Sequence, residues 1–310
     1  MIRLLLAFWL ICAVLLVWER RIARIVIYLA VFSSISSLCF LLFAAPDIAL
    51  AEVVVSAFST VVFITSFEKY YNFADRAFEE KKTEIKKKEG IKPYIFPVLF
   101  PVLLCALFIR FIPDGPANFF LKEQYISRFS GDVGGQNAVT AIYLGYRLYD
   151  TLFEALMLVV SVSAIIHLSW HGGISGANSV YNNERHSSIA VFTIRIICPV
   201  LVLFSVYLVS HGHLSPGGGF QGGVIAAAFF ICRYMIYGIS DAPINKIINL
   251  EKIFFALIVL VALFSVIFLA NAALLEYRGI YLIVMNMLIG MKVACGFFIM
   301  FFRFISFERH

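Results

Sequence analysis

Four short stretches place ionisable groups inside otherwise apolar sequence. In AAPDIALAEVVVSA, residues 44–57, Asp47 opens an apolar run and Glu52 lies more than one helical turn further in. Asp47 can cap a helix N-terminus, where the helix dipole favours a negative charge. Glu52 is too deep for that role. In QNAVTAIYLGYRLYDTLFEALMLVV, residues 136–160, Asp150 and Glu154 stand at i,i+4 and Arg147 precedes Asp150 by three, so a helix carries all three on one face. The trio reads either as a structural ion pair or as a cation-exchanging cluster, because neighbouring charges set a carboxylate's proton affinity. Lys292 lies near the middle of IYLIVMNMLIGMKVACGFFIMFF, with Asn286 six residues before it. A buried lysine relays protons or balances a carboxylate. His167, near the end of another apolar run, reads as a satisfied structural residue or as a proton carrier.

A fifth stretch, HGHLSPGGGFQGG, runs from residue 211 to 223 and contains G-x-G-x-x-G at Gly217, Gly219 and Gly222. Asp241 even lies about where a ribose-binding acid belongs in a dinucleotide fold. The context excludes that reading. Both flanks are apolar and near membrane-spanning length, no βαβ pattern surrounds them, and no Gly-Lys-Ser/Thr follows. The physical alternative is a tight turn dropping into a small-faced helix. Pro216 fixes φ, and Gly217, Gly218 and Gly219 allow turns closed to other residues. Gly222, Gly223 and the alanines after them leave little side-chain bulk, and Gly219 and Gly223 have the GxxxG spacing of close helix contacts. His213 and Phe220 flank the turn. Its carbonyls either pack or border an ion path.

The elements that position these residues follow from composition. Of 310 residues 62% are hydrophobic and 14% charged, and the mean hydropathy is +0.92. A soluble domain is roughly 45–50% apolar and about 25% charged, so lipid must be the main solvent here. The formal charge of +6 sits at the ends of apolar runs, which reads as topology signal and not as a nucleic-acid footprint. The six cysteines form no CxxC pair and no metal spacing.

Apolar runs of about 20 residues predict an all-α integral membrane protein with about nine transmembrane helices. They cover residues 2–17, 22–44, 46–67, 94–112, 141–168, 189–210, 218–238, 253–275 and 280–304. The first is short and reads as little tilted or as anchored at its ends by Trp9 and Trp18, and the third starts at Pro46. Loop 113–137 reads as irregular and segment 169–188 as a polar break. Basic residues cluster after the first, third and seventh spans (Arg233, Lys246 and Lys252 in the last case) and at the C-terminus. The N-terminus is therefore expected outside and the C-terminus in the cytoplasm.

Three segments together resemble subunits of Mrp/Mnh-type multisubunit Na+/H+ antiporters and of membrane-bound hydrogenase complexes that share the module. APDIALAEVVVSAFST resembles the APD-x-AL-T/A-E segment of the MbhD-type block. NAVTAIYLGYRLYDTLFEALML resembles the MbhE-type segment, and GHLSPGGGFQGGVIAAA with GMKVACG resembles the MnhB subunit. The implied organisation is an MbhD-like three-helix block (1–78), a charged cytoplasmic linker (79–92), an MbhE-like two-helix block (93–184) and an MnhB-like four-helix block (185–310). Arg147, Asp150, Thr151 and Glu154 match the MbhE-type pattern, whereas Gly145 stands where that pattern has an acid and Phe153 where it has glycine.

The resemblance implies a subunit without its own redox centre or cofactor, transporting Na+ and H+ across the cytoplasmic membrane. The ion pathway is expected to use Glu52, Asp150, Glu154, Lys292, Arg147, Asp47 and His167. No metal is expected beyond transient Na+. Implied partners are MnhC-like, MnhD-like and small E/F/G-type subunits, lipid, and in redox-driven versions hydrogenase-like iron–sulfur subunits. Driving force is left open between an ion gradient and ferredoxin-linked electron flow. A purely structural linker joining pumping and redox subunits is the competing reading.

Overall fold

The structure is a computed structural model that describes residues 2–19, 21–85, 120–168, 188–237, 244–270 and 277–306, with residues 99, 103, 106 and 110. Every element among the described residues is helical: α1 (Ile2–Trp18), α2 (Ile22–Leu42), α3 (Pro46–Ile85), α4 (Phe120–Val133), α5 (Ala138–Ala141), a π-helical segment (Ile142–Tyr146), α6 (Leu148–Leu168), α7 (Ser188–His211), α8 (Gly219–Tyr237), α9 (Ile244–Ala270) and α10 (Arg278–Ser306). The chain forms two compact units, Met1–Thr65 with Tyr125–His310, and Ser66–Gln124. All site residues below belong to the first.

Six helices are long and apolar enough to cross a membrane: Arg24–Leu42, Pro46–Thr65, Leu148–Leu168, Val191–His211, Ile244–Ser265 and Arg278–Phe304. The chain is thus an all-helical multi-pass membrane protein. These six lie among the described residues, whereas the expectation of about nine spans covers the whole chain. The shorter Leu4–Trp18 and the small-residue helix α8 fall outside the six. Apart from residues 99, 103, 106 and 110, the expected span at 94–112 lies outside the described residues, as do the polar break at 169–187 and residues 86–92 of the charged linker. The helical backbone of α3 continues through residues 79–85.

Helix α10 is the hub, packed by α6, α7, α8 and α9. Its Leu282, Met285, Ile299 and Phe301 are wholly buried. Phe58 of α3 meets Phe297 edge-on, with ring centroids 4.5 Å apart. Helices α1 and α2 pair separately around Cys12, Ile35 and Cys39. Here Trp9 Nε1 donates to Ser36 Oγ at 2.7 Å and its ring stacks on Phe32. A buried indole N–H needs an acceptor, and Ser36 is on hand. Trp18 remains exposed.

Two connections depart from expectation. Residues 113–137 are not irregular throughout, because α4 occupies 120–133. Phe129 and Val133, spaced i,i+4, seat one of its faces on the core. Gly134 ends it at φ +85°, and its N–H returns to Ser130 O at 3.1 Å, the usual use of glycine just past a helix end. Helix α9 begins at Ile244, not 253, which places Lys246 and Lys252 inside it, while Arg233 lies in α8. The charges obscure a buried stripe: Glu251, Ile258, Ala262 and Ser265 are all buried at helical spacing.

Candidate functional site

The deepest charge is Lys292. It is fully buried near the middle of α10, and its Nζ lies 3.3 Å from Glu251 Oε1 on α9 and donates to Ala155 O on α6 at 2.7 Å. Glu251 is itself 1% exposed, so the pair is desolvated on both sides. The contact is an ion pair by distance, since Glu251 Oε1 lacks a well-aligned hydrogen bond. Glu251 was missed in the sequence because Lys252 beside it resembled a loop charge. The signal that would have found it is its place in the 251, 258, 262, 265 stripe.

Glu154 precedes the carbonyl that Lys292 holds, and the two charges interact. The expected common face of Arg147, Asp150 and Glu154 is only partly formed. Arg147 lies in a break between the π-helical segment and α6, with φ −121° and ψ 38°. It still pairs with Asp150 at 2.5 Å, but both side chains are more than half exposed. Glu154 makes no ion pair with either among the described residues. So the trio divides into an outlying ion pair and an exposed carboxylate whose charge acts on Lys292.

The π-helical segment redistributes backbone groups. Arg147 N–H bonds Ile142 O at 2.7 Å, and the carbonyls it leaves are taken by side chains. Thr151 Oγ1 donates to Tyr143 O at 2.6 Å, and Tyr281 OH to Leu144 O at 2.9 Å. At Gly145, where the resembled pattern has an acid, a Cβ would lie 2.6 Å from Val133 Cγ2. Helix α4 fills the space that an acidic side chain would need.

The glycine turn forms as expected and leads into α8. Gly217 and Gly218 have φ +148° and +156°. A Cβ at Gly219 would strike Asn286 O, and one at Gly223 would lie 2.6 Å from Gly290 O. The GxxxG face therefore seats α8 directly on the backbone of α10. Gly222 faces the other way, against Val209 and Ser205 O of α7, and Ser205 Oγ donates to Gly222 O at 2.8 Å. Phe220 meets Phe297 edge-on at 5.9 Å. Asn286, buried on α10, accepts from Gly219 N–H at 3.1 Å and from Tyr143 OH at 2.9 Å. Pro216 is exposed at the top of the turn. His213 is half-buried, and burial holds its imidazole below the ordinary histidine range, helped by the nearby His211 charge and opposed by a bond to the Ser210 backbone.

Asp47 is not merely a helix cap. Its Oδ1 accepts Gly217 N–H at 3.0 Å and Asn137 Nδ2–H at 3.1 Å, so it ties the first turn of α3 to the glycine turn. Asn137, a second residue that sequence reading missed, also caps α5 through Val139 N–H and donates to Gly212 O and Ser215 O. Its own N–H and that of Gln136 reach His213 O. Glu52 is half-buried and accepts from Ser33 Oγ on α2. A shallow cleft lined by Ser34, Ser56 and Thr60 opens between the same two helices. His167 is exposed in the last turn of α6, apart from the other site residues.

The fold and the buried charges define a multi-pass membrane protein with ionisable groups at the centre of its bundle. Two segments of the chain are similar to subunits of Mrp/Mnh-type antiporter modules. Residues 189–300 match the domain related to the MnhB subunit of Na+/H+ antiporters, and residues 7–71 match the MbhD family of MBH subunits. Relatives named antiporter subunit mnhA2 are 32% identical over 149 residues in Staphylococcus aureus and 32% over 146 residues in Staphylococcus haemolyticus. Each alignment covers 47% of this chain, and the chain spans only 17% of those relatives' length. Among solved structures, a chain of the Mrp complex from Dietzia sp. DQ12-45-1b is similar at TM-score 0.64 and 20% identity, over 94% of this chain and 34% of that one. A chain of the membrane-bound sulfane sulfur reductase, an archaeal respiratory membrane complex, is similar at TM-score 0.53 and 24% identity, over 67% of this chain and 94% of that one. These two likenesses establish the shared fold.

Proposed function

We propose that the chain is a membrane subunit of a multisubunit Na+/H+ antiporter module and contributes charged side chains to cation/proton translocation. The observation that carries this reading is the Lys292–Glu251 pair, buried between α9 and α10 and flanked by Glu154. Desolvating such a pair costs several kcal/mol per ion, and an apolar pair of similar volume is often as stable. A lysine and a carboxylate kept at that depth are therefore read as working groups. Lys292 Nζ holds a proton beside the buried Glu251, within the field of the more exposed Glu154. When it gives the proton up, the buried Glu251 loses its counter-charge and must take up a proton or a cation. That competition is what an exchanger requires. Glu52 and Asp47 extend the set toward α2 and the glycine turn, and Arg147 and Asp150 border it at the start of α6.

In this reading the chain has about nine spans, with the N-terminus outside, the C-terminus inside and its home in the cytoplasmic membrane. Its three blocks follow the MbhD, MbhE and MnhB pattern. Na+ and H+ are cargo. MnhC-like, MnhD-like and small subunits are its partners, with hydrogenase-like iron–sulfur subunits added where electron flow drives exchange. Replacing Glu251 by Gln, or Lys292 by Met, is expected to abolish Na+/H+ exchange in membrane vesicles while the complex still assembles on native gels. Exchange at the wild-type rate in both variants would refute the role.

The structural-linker reading draws on one specific observation, the seating of Gly219 and Gly223 on α10 carbonyls. It expects those two neutralisations to leave exchange intact and bulky residues at the glycines to dissociate the complex.

A further inference from the structure

Asn137 faces more acceptors than its amide has hydrogens. Nδ2 lies 3.1 Å from Asp47 Oδ1, 3.1 Å from Gly212 O and 3.0 Å from Ser215 O, yet an amide nitrogen carries two hydrogens. Three oxygens thus converge on one point. One belongs to a carboxylate, and two are carbonyls of a non-helical turn. Asp47 is 6% exposed, and no Lys, Arg or His nitrogen lies within ion-pair distance of it among the described residues. Its bonds come only from N–H dipoles, which leave a buried negative charge without a counter-ion. Hard cations take oxygen donors. In transporters, carbonyls freed by broken helices are a recurrent source of such donors for Na+.

The geometry points to a monovalent-cation site formed by Asp47 Oδ1, Gly212 O and Ser215 O, whose place the Asn137 amide takes when no cation is bound. The N–H2 end of that amide supplies partial positive charge, whereas a cation balances Asp47 in full. Thr140 Oγ1, 2.5 Å from Gly212 O, holds that carbonyl in position. The site joins α3, the start of α5 and the α7–α8 turn, well away in sequence from Lys292. It rests on the transport reading, as a second station for the same cargo.

The test uses the assembled complex purified from membranes, with Na+ as the probe and a large organic cation holding ionic strength constant. In the wild type, Na+ is expected to slow amide hydrogen exchange of residues 211–218 and to raise the thermal midpoint, both saturably. Asp47→Asn keeps the acceptor oxygen and removes the charge. It is expected to raise the half-saturating Na+ at least tenfold with assembly retained. A wild-type complex whose turn is indifferent to Na+ overturns the site, whether or not the variant assembles. An unchanged half-saturation in Asp47→Asn does the same. If either result accompanies normal Na+/H+ exchange, only the site falls; if the wild-type complex does not exchange these ions at all, the transport reading falls with it.

Discussion

At the residue scale, the same charge type has different worth according to its surroundings. Arg147 and Asp150 are paired but exposed. An exposed pair contributes at most about 1 kcal/mol, so Asp150→Asn is expected to lower exchange less than Glu154→Gln, which removes a carboxylate whose charge acts on Lys292. Parallel vesicle assays of the two variants make the comparison; equal losses would place both in one cluster. Gly145 gives a second case. Restoring the family's acid as Gly145→Asp drives a Cβ into Val133. Overpacking of this kind costs about 1–3 kcal/mol, visible as a lower thermal midpoint, and Val133→Ala should recover part of it. His213 gives a third. Burial lowers its pKa, so the folded form binds protons less readily than the unfolded form. Stability of the turn is therefore complete above the unfolded histidine pKa of about 6.5 and declines as pH falls below it. Hydrogen exchange of residues 211–218 measured across pH 7.5 to 5.5, on the order of the window set by that value, should show this decline, and His213→Gln should flatten it.

At the element scale, helix contacts depend on what is missing from side chains. Helix α8 approaches α10 so closely at Gly219 and Gly223 that any Cβ must move a backbone carbonyl. Gly223→Leu is accordingly expected to separate the two helices and to reduce the amount of assembled complex severely, as read on native gels. Gly279, where a Cβ meets nothing within 4 Å, tolerates alanine. The α2–α3 connection shows the opposite economy. Ala44 adopts φ 55° just before Pro46, a left-handed conformation that costs a non-glycine residue roughly 1–2 kcal/mol. Ala44→Gly should raise the thermal midpoint of the complex. A lower midpoint would mean that glycine's extra freedom in the unfolded chain outweighs the relieved strain.

At the scale of the whole molecule, one buried polar thread joins the parts that local sequence treats as separate. Asp47 on α3, Asn137 before α5, the turn at 211–218, Tyr143 in the π-helical segment and Asn286 on α10 are linked by successive hydrogen bonds. Asn137→Ala removes the group at which three of these segments meet. Each buried acceptor left unpaired costs about 1–3 kcal/mol, so this single truncation is expected to lower the thermal midpoint more than Asp150→Asn does. A smaller effect would mean that water replaces the amide.

The sequence by itself determined the solvent, the helices and the glycine turn. Composition leaves too little polar surface for water, apolar runs set span lengths, and Pro216 followed by three glycines permits few backbone conformations. It also marked Glu52, Glu154 and Lys292, because a charge inside an apolar run stands out without any partner. Partners were beyond its reach. Glu251 looked like a loop residue until α9 was seen to begin nine residues earlier than the apolar run, at Ile244. Asp47 looked like a local cap, and nothing in the spacing singled out Asn137. Only the tertiary structure paired Lys292 with Glu251, left Glu154 without an ion pair to Arg147 among the described residues, and brought Asp47 to a turn 170 residues away. The physical reason is that burial and pairing belong to contacts between helices, and one-dimensional spacing specifies the face of a helix without specifying what that face meets.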